Sequence, residues 1–282
     1  MPGLPAARVL RCGRYELPLE RPLLMGIVNV TPDSFSDGAL HDDADAAIAH
    51  AIALAQEGAD ILDIGGESTR PGAGAVSAAE EMARVLPVLE GLSGRAVPLS
   101  VDTSKPEVMR AALGCGAAMI NDVYAFRAPG ALDVMSGTDA ALCIMHMQGE
   151  PRTMQEAPHY DDVVAEVGAF LAGRAHAAER SGIARNRIAV DPGFGFGKTM
   201  QHNLELLRRL AEIERLGWPV LAGLSRKSML GTITGRPVGS RVHASVAAAL
   251  LAVLNGARIV RVHDVAATRD ALAVLDALHG RA

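Results

Sequence analysis

The chain is predicted to be an α/β protein, a (β/α)8 TIM barrel with a small N-terminal hairpin, and three observations predict it. Short apolar runs rich in β-branched residues recur eight times along the 282 residues. Helix-periodic segments separate them, and several of those segments end in Gly, the usual helix stop. Continuous apolar strands alternating with helices imply parallel strands covered by helices, and eight such units in about 250 residues match a barrel in count and size. A doubly wound open sheet fits less well. It would usually have fewer strands and a GxGxxG after the first one, which is absent here.

The elements follow in order. RVLRCGRYELPL reads as a hairpin over about 8–20 that sits outside the barrel and plugs its N-terminal end. The strands are LLMGIVNV (23–30), ADILDIGG (59–66), PLSVDTS (98–104), MINDV (119–123), ALCIMHM (141–147), IAVDPGF (188–194), PVLAGLS (219–225) and IVRVHDV (259–265). The helices are ADAAIAHAIALAQEG, AAEEMARVLPVLEGL, PEVMRAALGCG, a short weaker APGALDVMSG, DVVAEVGAFLAGRAHAAERSG, HNLELLRRLAEIE, HASVAAALLAVLNG and VAATRDALAVLDALHG. No linker is long enough to split the chain, so one domain is expected over 1–282, with the barrel at about 23–280.

Composition bounds the function. Hydrophobic residues make up 49%, net charge is −5, and no broad basic stripe is available for nucleic acid. No apolar run reaches the length of a membrane span, and the first residues lack a signal-peptide core. Cys12, Cys115 and Cys143 are scattered without CxxC spacing, which predicts a reducing, cytoplasmic setting and no metal–thiolate site.

A barrel's chemistry sits at the C-terminal ends of its strands. Those ends carry Asn29, then Gly65 to Pro71, Asp102, Asn121 with Asp122, His146, Asp191 before GFGFGK, Ser225 to Ser228, and Arg261, His263 and Asp264. Each has a bland reading. Asp102 could cap the following helix, Asp191 could open a turn, the glycines could only turn the chain, and His146 could be a satisfied core histidine. Convergence favours a site. Asp102, Asn121 and Asp191 are acceptor-rich groups facing one lumen, suited to a guanidine-like N–H edge, and Lys227 offers a donor to the other side of a flat ring. Asn29, Arg70, Arg261 and His263 form a polar, cationic rim where an anion would sit.

NVTPDSFSDG, DIGGESTRPG, SVDTSK, INDV, MHMQGEPRTMQ, DPGFGFGK, GLSRKSMLG and IVRVHDV occur in this order across 23–265. Together they resemble the dihydropteroate synthase family, transferases of folate biosynthesis and the target of sulfonamides. The resemblance implies condensation of 6-hydroxymethyl-7,8-dihydropterin diphosphate with 4-aminobenzoate to give 7,8-dihydropteroate and diphosphate, with Mg²⁺ and a homodimer contacting through its last helices. It implies catalytic roles for Asp102, Lys227, Arg261 and His263. The implied pterin contacts are Asp102, Asn121, Met145, Asp191 and Lys227. The implied aminobenzoate side is Asp33, Phe35, Thr69, Arg70, Pro71, Phe196 and Ser228. The implied diphosphate contacts are Asn29, Arg70, Arg261 and His263, with Asn29 also the Mg²⁺ ligand. Ser228 and the backbone N–H groups after it would receive the benzoate carboxylate. NVTPDSFSDG is expected to close over the diphosphate and complete the aminobenzoate pocket. Two rival readings are a pterin-using methyltransferase barrel, which would leave NVTPDSFSDG, SRK and RVHD unexplained, and a non-catalytic paralogue, which should have lost motif residues.

Overall fold

A computed structural model describes residues 9–30, 40–68, 74–150 and 153–278. It opens with an antiparallel hairpin, β1 (Val9–Cys12) and β2 (Tyr15–Pro18), with Leu10 opposite Leu17. The eight apolar runs are β3 (Leu23–Asn29), β4 (Ile61–Gly65), β5 (Leu99–Asp102), β6 (Met119–Asp122), β7 (Ala141–Met145), β8 (Ile188–Asp191), β9 (Val220–Ala222) and β10 (Ala257–Val262). They close into a parallel barrel in chain order, with β10 pairing β3. The helices are α1 (Leu40–Gln56), α2 (Ala78–Gly91), α3 (Pro106–Gly114), α4 (Ala131–Ser136), α5 (Val163–Arg180), α6 (Met200–Arg208), α7 (Leu210–Glu214), α8 (Ser228–Thr234), α9 (Val242–Leu254) and α10 (Val265–Leu278).

Local chemistry explains the helix starts. Ser77 caps α2 in a reciprocal box: its Oγ accepts from Glu80 N at 3.2 Å, and Glu80 Oε2 accepts from Ser77 N at 2.9 Å. Thr199 and His202 build the same box at α6, and the Asp162 carboxylate accepts from Val164 N and Ala165 N at α5. The α3 start is different. Its N-cap is Lys105, with no side-chain cap and Pro106 in the first turn, so Asp102 is not spent on capping.

Two elements depart from the sequence reading. The expected single helix HNLELLRRLAEIE is broken at Arg209, where ψ is 21°. The Arg209 guanidinium forks to Glu212 and Asp162, and the Leu207 carbonyl near the break accepts from Asn255 Nδ2 at 2.8 Å. The second departure is α8, a short helix before α9 whose seven residues carry too little periodicity to stand out.

Two large apolar regions result, besides a smaller cluster at the strand exits. One fills the shell between strands and helices; the other fills the lower lumen with Leu23, Met25, Ile61, Met119, Leu221 and Ile259. Leu10, Cys12 and Leu19 belong to that lumen cluster, so the hairpin is the plug that the sequence predicted. Cys12 Sγ donates to Ala118 O at 3.1 Å, and burial pushes its thiol up to about 12. The alternation of the strands then puts Asn29, Gly65, Asp102 and Asn121 in register around the upper lumen, with Asp191 opposite Met145.

The plug yields a direct expectation. Leu10 is fully buried. Leu10→Ala should cost about 2–4 kcal/mol in urea denaturation. A loss under about 1 kcal/mol would mean that the hairpin is not part of the core.

Candidate active site

The upper lumen is organised by a residue that the strand-end reading missed. Asp63 lies one layer below Gly65 on β4, fully buried. Its Oδ2 accepts from Arg261 Nε at 2.6 Å and from Asn121 Nδ2 at 3.1 Å. The Arg261 Nη2 reaches on to Asp102 Oδ2 at 3.0 Å. One guanidinium thus bridges two carboxylates, a fork geometry that arginine holds well. The signal for Asp63 was present as a carboxylate inside the apolar run ILDIG. Asp63 lies two residues before the strand end, inside the run and not at its exit.

This corrects the placement of Arg261. It was expected on the rim with Asn29, Arg70 and His263. In the structure it points across the lumen, committed to Asp63 and Asp102. Those bonds use two of its five N–H donors. Two buried acceptors beside it, Asp63 Oδ1 and Asn121 Oδ1, have no hydrogen-bond partner among the described residues.

Burial pushes the Asp102 carboxyl up to about 7. Arg261 pulls it down, and Asp63, the nearest other carboxylate, pushes it up again. Asp63 holds the shorter bond to the shared cation, so the second negative charge is only partly compensated. Burial also raises Asp191, against the pull of Lys227, while Asp191 Oδ1 accepts from Gly193 N at 2.7 Å. The turn reading of Asp191 therefore holds for one oxygen only.

Lys227 is aimed at Asp191 by a fixed turn. Arg226 stands at φ 59° in the left-handed region. Its N–H donates to Ser245 Oγ at 2.9 Å, its guanidinium pairs with Asp264, and its carbonyl accepts from Arg241 Nη1 at 3.0 Å. The Lys227 ammonium donates to Phe194 O and lies 4.5 Å from the Phe196 ring centroid. Burial pushes it down to about 8, opposed by Asp191.

Other candidates take definite places. The His263 Nδ1 sits 2.9 Å from Ser225 Oγ, which also accepts from His263 N. Met145 is buried with Val123, Met147 and Met154, and Phe196 packs on that cluster. Ser228 is exposed at the start of α8. Asp122 is structural: its two oxygens accept from Tyr124 N and Phe126 N and hold a turn with Ala125 and Phe126 at positive φ. His146 is the satisfied core histidine of the bland reading, buried with Lys198 Nζ 2.9 Å from its Nδ1. Asp33, Phe35, Thr69, Arg70 and Pro71 lie outside the described residues, as does most of NVTPDSFSDG.

Among the described residues, no group of three or more His, Cys, Asp or Glu side chains is placed to hold a metal ion. Mg²⁺ needs fewer protein donors, because it keeps waters and takes phosphate oxygens from the substrate. Asn29 suits that requirement with one hard amide oxygen at the tip of β3. Gly65 leaves the space opposite it open: a Cβ there would stand 4.0 Å from Asn29 Oδ1.

The Asp102 environment sets a sign for stability. The folded carboxyl holds its proton to about 7, against an ordinary 3.8. The folded chain then binds more protons than the unfolded chain between these values, so this stability is lost as pH rises through the window. Asp102→Asn is neutral throughout and removes the slope. Between pH 5 and 8, urea denaturation should show the variant gaining about 2 kcal/mol on the wild type. Parallel curves would mean that Arg261 keeps Asp102 ionised.

Comparison with known proteins agrees with this geometry. Residues 25–263 match the family model described as pterin binding enzyme. A dihydropteroate synthase of Neisseria meningitidis serogroup C is 53% identical over 278 residues, covering 97% of this chain and 98% of that protein. A solved Xanthomonas albilineans dihydropteroate synthase with 4-aminobenzoic acid superposes with TM-score 0.91 at 57% identity, over 97% of this chain and 98% of that one. The same organism's enzyme in complex with 7,8-dihydropteroate gives TM-score 0.87 at 52% identity, over 97% and 99%. With an acceptor-lined lumen, Lys227 across from Asp191 and near-full-length likeness to these enzymes, the chain belongs to the dihydropteroate synthase family of pterin-binding enzymes.

Proposed function

We infer that the protein is a transferase that condenses 6-hydroxymethyl-7,8-dihydropterin diphosphate with 4-aminobenzoate, releasing 7,8-dihydropteroate and diphosphate. The observation that carries this reading is the acceptor-rich lumen of Asp63, Asp102, Asn121 and Asp191 with Lys227 facing it. A flat ring with an N–H edge satisfies the unpaired Asn121 Oδ1 and the carboxylates, and its opposite side receives the Lys227 ammonium. Met145 supplies an apolar face beside the ring.

In the reaction the bond between the methylene carbon and diphosphate breaks, and diphosphate leaves with the electron pair. The positive charge spreads into the electron-rich ring, where Asp102 and Asp191 stabilise it. Arg261 holds Asp102 in place and keeps N–H donors toward the departing anion, and His263, fixed by Ser225, joins it there. The neutral aryl amine attacks the carbon and then sheds a proton. The aryl amine is itself the nucleophile, so no activated side-chain nucleophile is required. Asn29 would hold Mg²⁺, which would supply positive charge against the leaving group. Phe196 and Ser228 face the aminobenzoate side. Asp33, Phe35, Thr69, Arg70 and Pro71 are assigned to it through the family resemblance, and sulfonamides would compete there.

A homodimer is proposed through α9 and α10, which expose Leu251, Leu254, Val274 and Leu278. Val274→Glu should shift sedimentation toward monomer; an unchanged profile would place the contact elsewhere. The three unpaired cysteines fit a reducing, cytoplasmic location. Among the described residues, no helix is long and apolar enough to cross a membrane.

The test is release of diphosphate on mixing both substrates with Mg²⁺. Release should match dihydropteroate formation, fall sharply on chelation, and drop roughly 100-fold or more in Asp191→Asn. No release from the wild type would favour a non-catalytic binding role, and methyl transfer from a reduced folate would favour the methyltransferase reading.

A further inference from the structure

The segment Gly193–Lys198 after β8 shows an unusual degree of satisfaction. Six consecutive backbone carbonyls each accept from a side chain. Lys198 Nζ donates to Gly193 O at 3.0 Å and to Phe196 O at 2.9 Å. Lys227 takes Phe194 O, Gln155 Nε2 takes Gly195 O at 2.5 Å, Tyr160 Oη takes Gly197 O at 2.9 Å, and Asn203 Nδ2 takes Lys198 O at 3.3 Å. The loop is pressed onto the exit of β7. A Cβ on Gly193 (φ 68°) would stand 1.9 Å from His146 O, and one on Gly197 (φ 59°) would stand 2.3 Å from Gln148 O.

Lys198 is the knot of this contact. It is buried, and every partner of its Nζ is an acceptor: two loop carbonyls, His146 Nδ1 at 2.9 Å and His146 O at 3.4 Å. Burial pushes Lys198 down to about 7, opposed by Asp191. As an ammonium it meets the three nearest acceptors with its three hydrogens, and the imidazole is then neutral with its proton on Nε2. Burial, reinforced by the Lys198 charge, pushes His146 down to about 3 and keeps it neutral.

The geometry points to Lys198 as a positioning residue for the aminobenzoate side of the site, acting through the loop that carries the Phe196 ring and the Phe194 carbonyl under Lys227. This assignment rests on the proposed reaction. The Lys198 charge also helps to lower Asp191, behind Lys227 and the Gly193 N–H, but Asp191 precedes the loop and is held in place by the β7–β8 ladder, so the position of the pterin side depends on Lys198 less.

The experiment is steady-state kinetics with both substrates on the full-length protein, the wild type serving as the check on the reaction itself. Lys198→Met should raise the aminobenzoate KM roughly tenfold while the pterin KM changes less than about threefold, because buried carbonyls lose their donor and the loop shifts. His146→Leu should show the same split more weakly. His146→Asn, which keeps an acceptor near the Nδ1 position, should restore nearly wild-type values. ¹⁵N NMR should show His146 as the Nε2–H tautomer in the wild type and lose that signature in Lys198→Met. If Lys198→Met does not fold, the two His146 variants carry the test. Equal changes in both KM values, or a loss of kcat alone with both KM values unchanged, would overturn the assignment. An inactive wild type would instead refute the reaction.

Discussion

Unpaired charge is costly inside a barrel lumen, and the Arg261 bridge between Asp63 and Asp102 is how this chain offsets most of that cost. Each buried ion carries a desolvation cost of several kcal/mol, and the cost is met only when geometry and extra hydrogen bonds are good. Here one planar fork serves two carboxylates from β4 and β5, and Asn121 from β6 adds an amide N–H. Four strands are thereby tied across the lumen. Removing Arg261 would leave two buried carboxylates without their shared cation. Its position above an apolar layer sealed by β1 and β2 keeps it dry from below and open only at the strand exits.

The exits are held by similar means. Arg226 sits in a left-handed conformation because Ser245, Arg241 and Asp264 grip its N–H, carbonyl and guanidinium at once. That grip sets the direction of Lys227. The loop after β8 is held by its carbonyls as well as by the buried Phe194 ring. Polar loops next to a ligand site gain precision from such networks only when every group is satisfied. The two loops meet where Lys227 donates to Phe194 O.

How much of this was legible in the sequence varies with the kind of force involved. The eight strands and the plug were readable because burial on both faces demands uninterrupted apolar runs. Asp102, Asn121, Asp191 and Lys227 were readable because barrel chemistry has a fixed end. Asp63 was not read, although strand alternation from Gly65 places it on the lumen face. Lys198 was not read either: a lysine closing a glycine-rich motif looks like a solvated cation until His146 and the loop carbonyls are seen around it. The Arg209 break was illegible, since its causes, Asp162 and Asn255, lie 47 and 46 positions away in the chain. Long-range partners leave no local pattern. Arg261 shows a different limit, because motif position located the residue but not the direction of its side chain.

The raised carboxyls and the unpaired acceptors have one physical origin. Asp102 and Asp191 are both pushed up by burial with incomplete compensation, and Asp63 Oδ1 and Asn121 Oδ1 lack donors among the described residues. A pocket in this condition is electron-rich and short of N–H groups. A water layer would supply donors without charge. A donor-edged ring that develops positive charge as diphosphate leaves supplies both, and its charge is opposite in sign to the uncompensated carboxylates. The interaction therefore strengthens as the transition state forms, which is the condition for catalysis rather than mere binding. A lumen with fully paired carboxylates would favour that developing cation less.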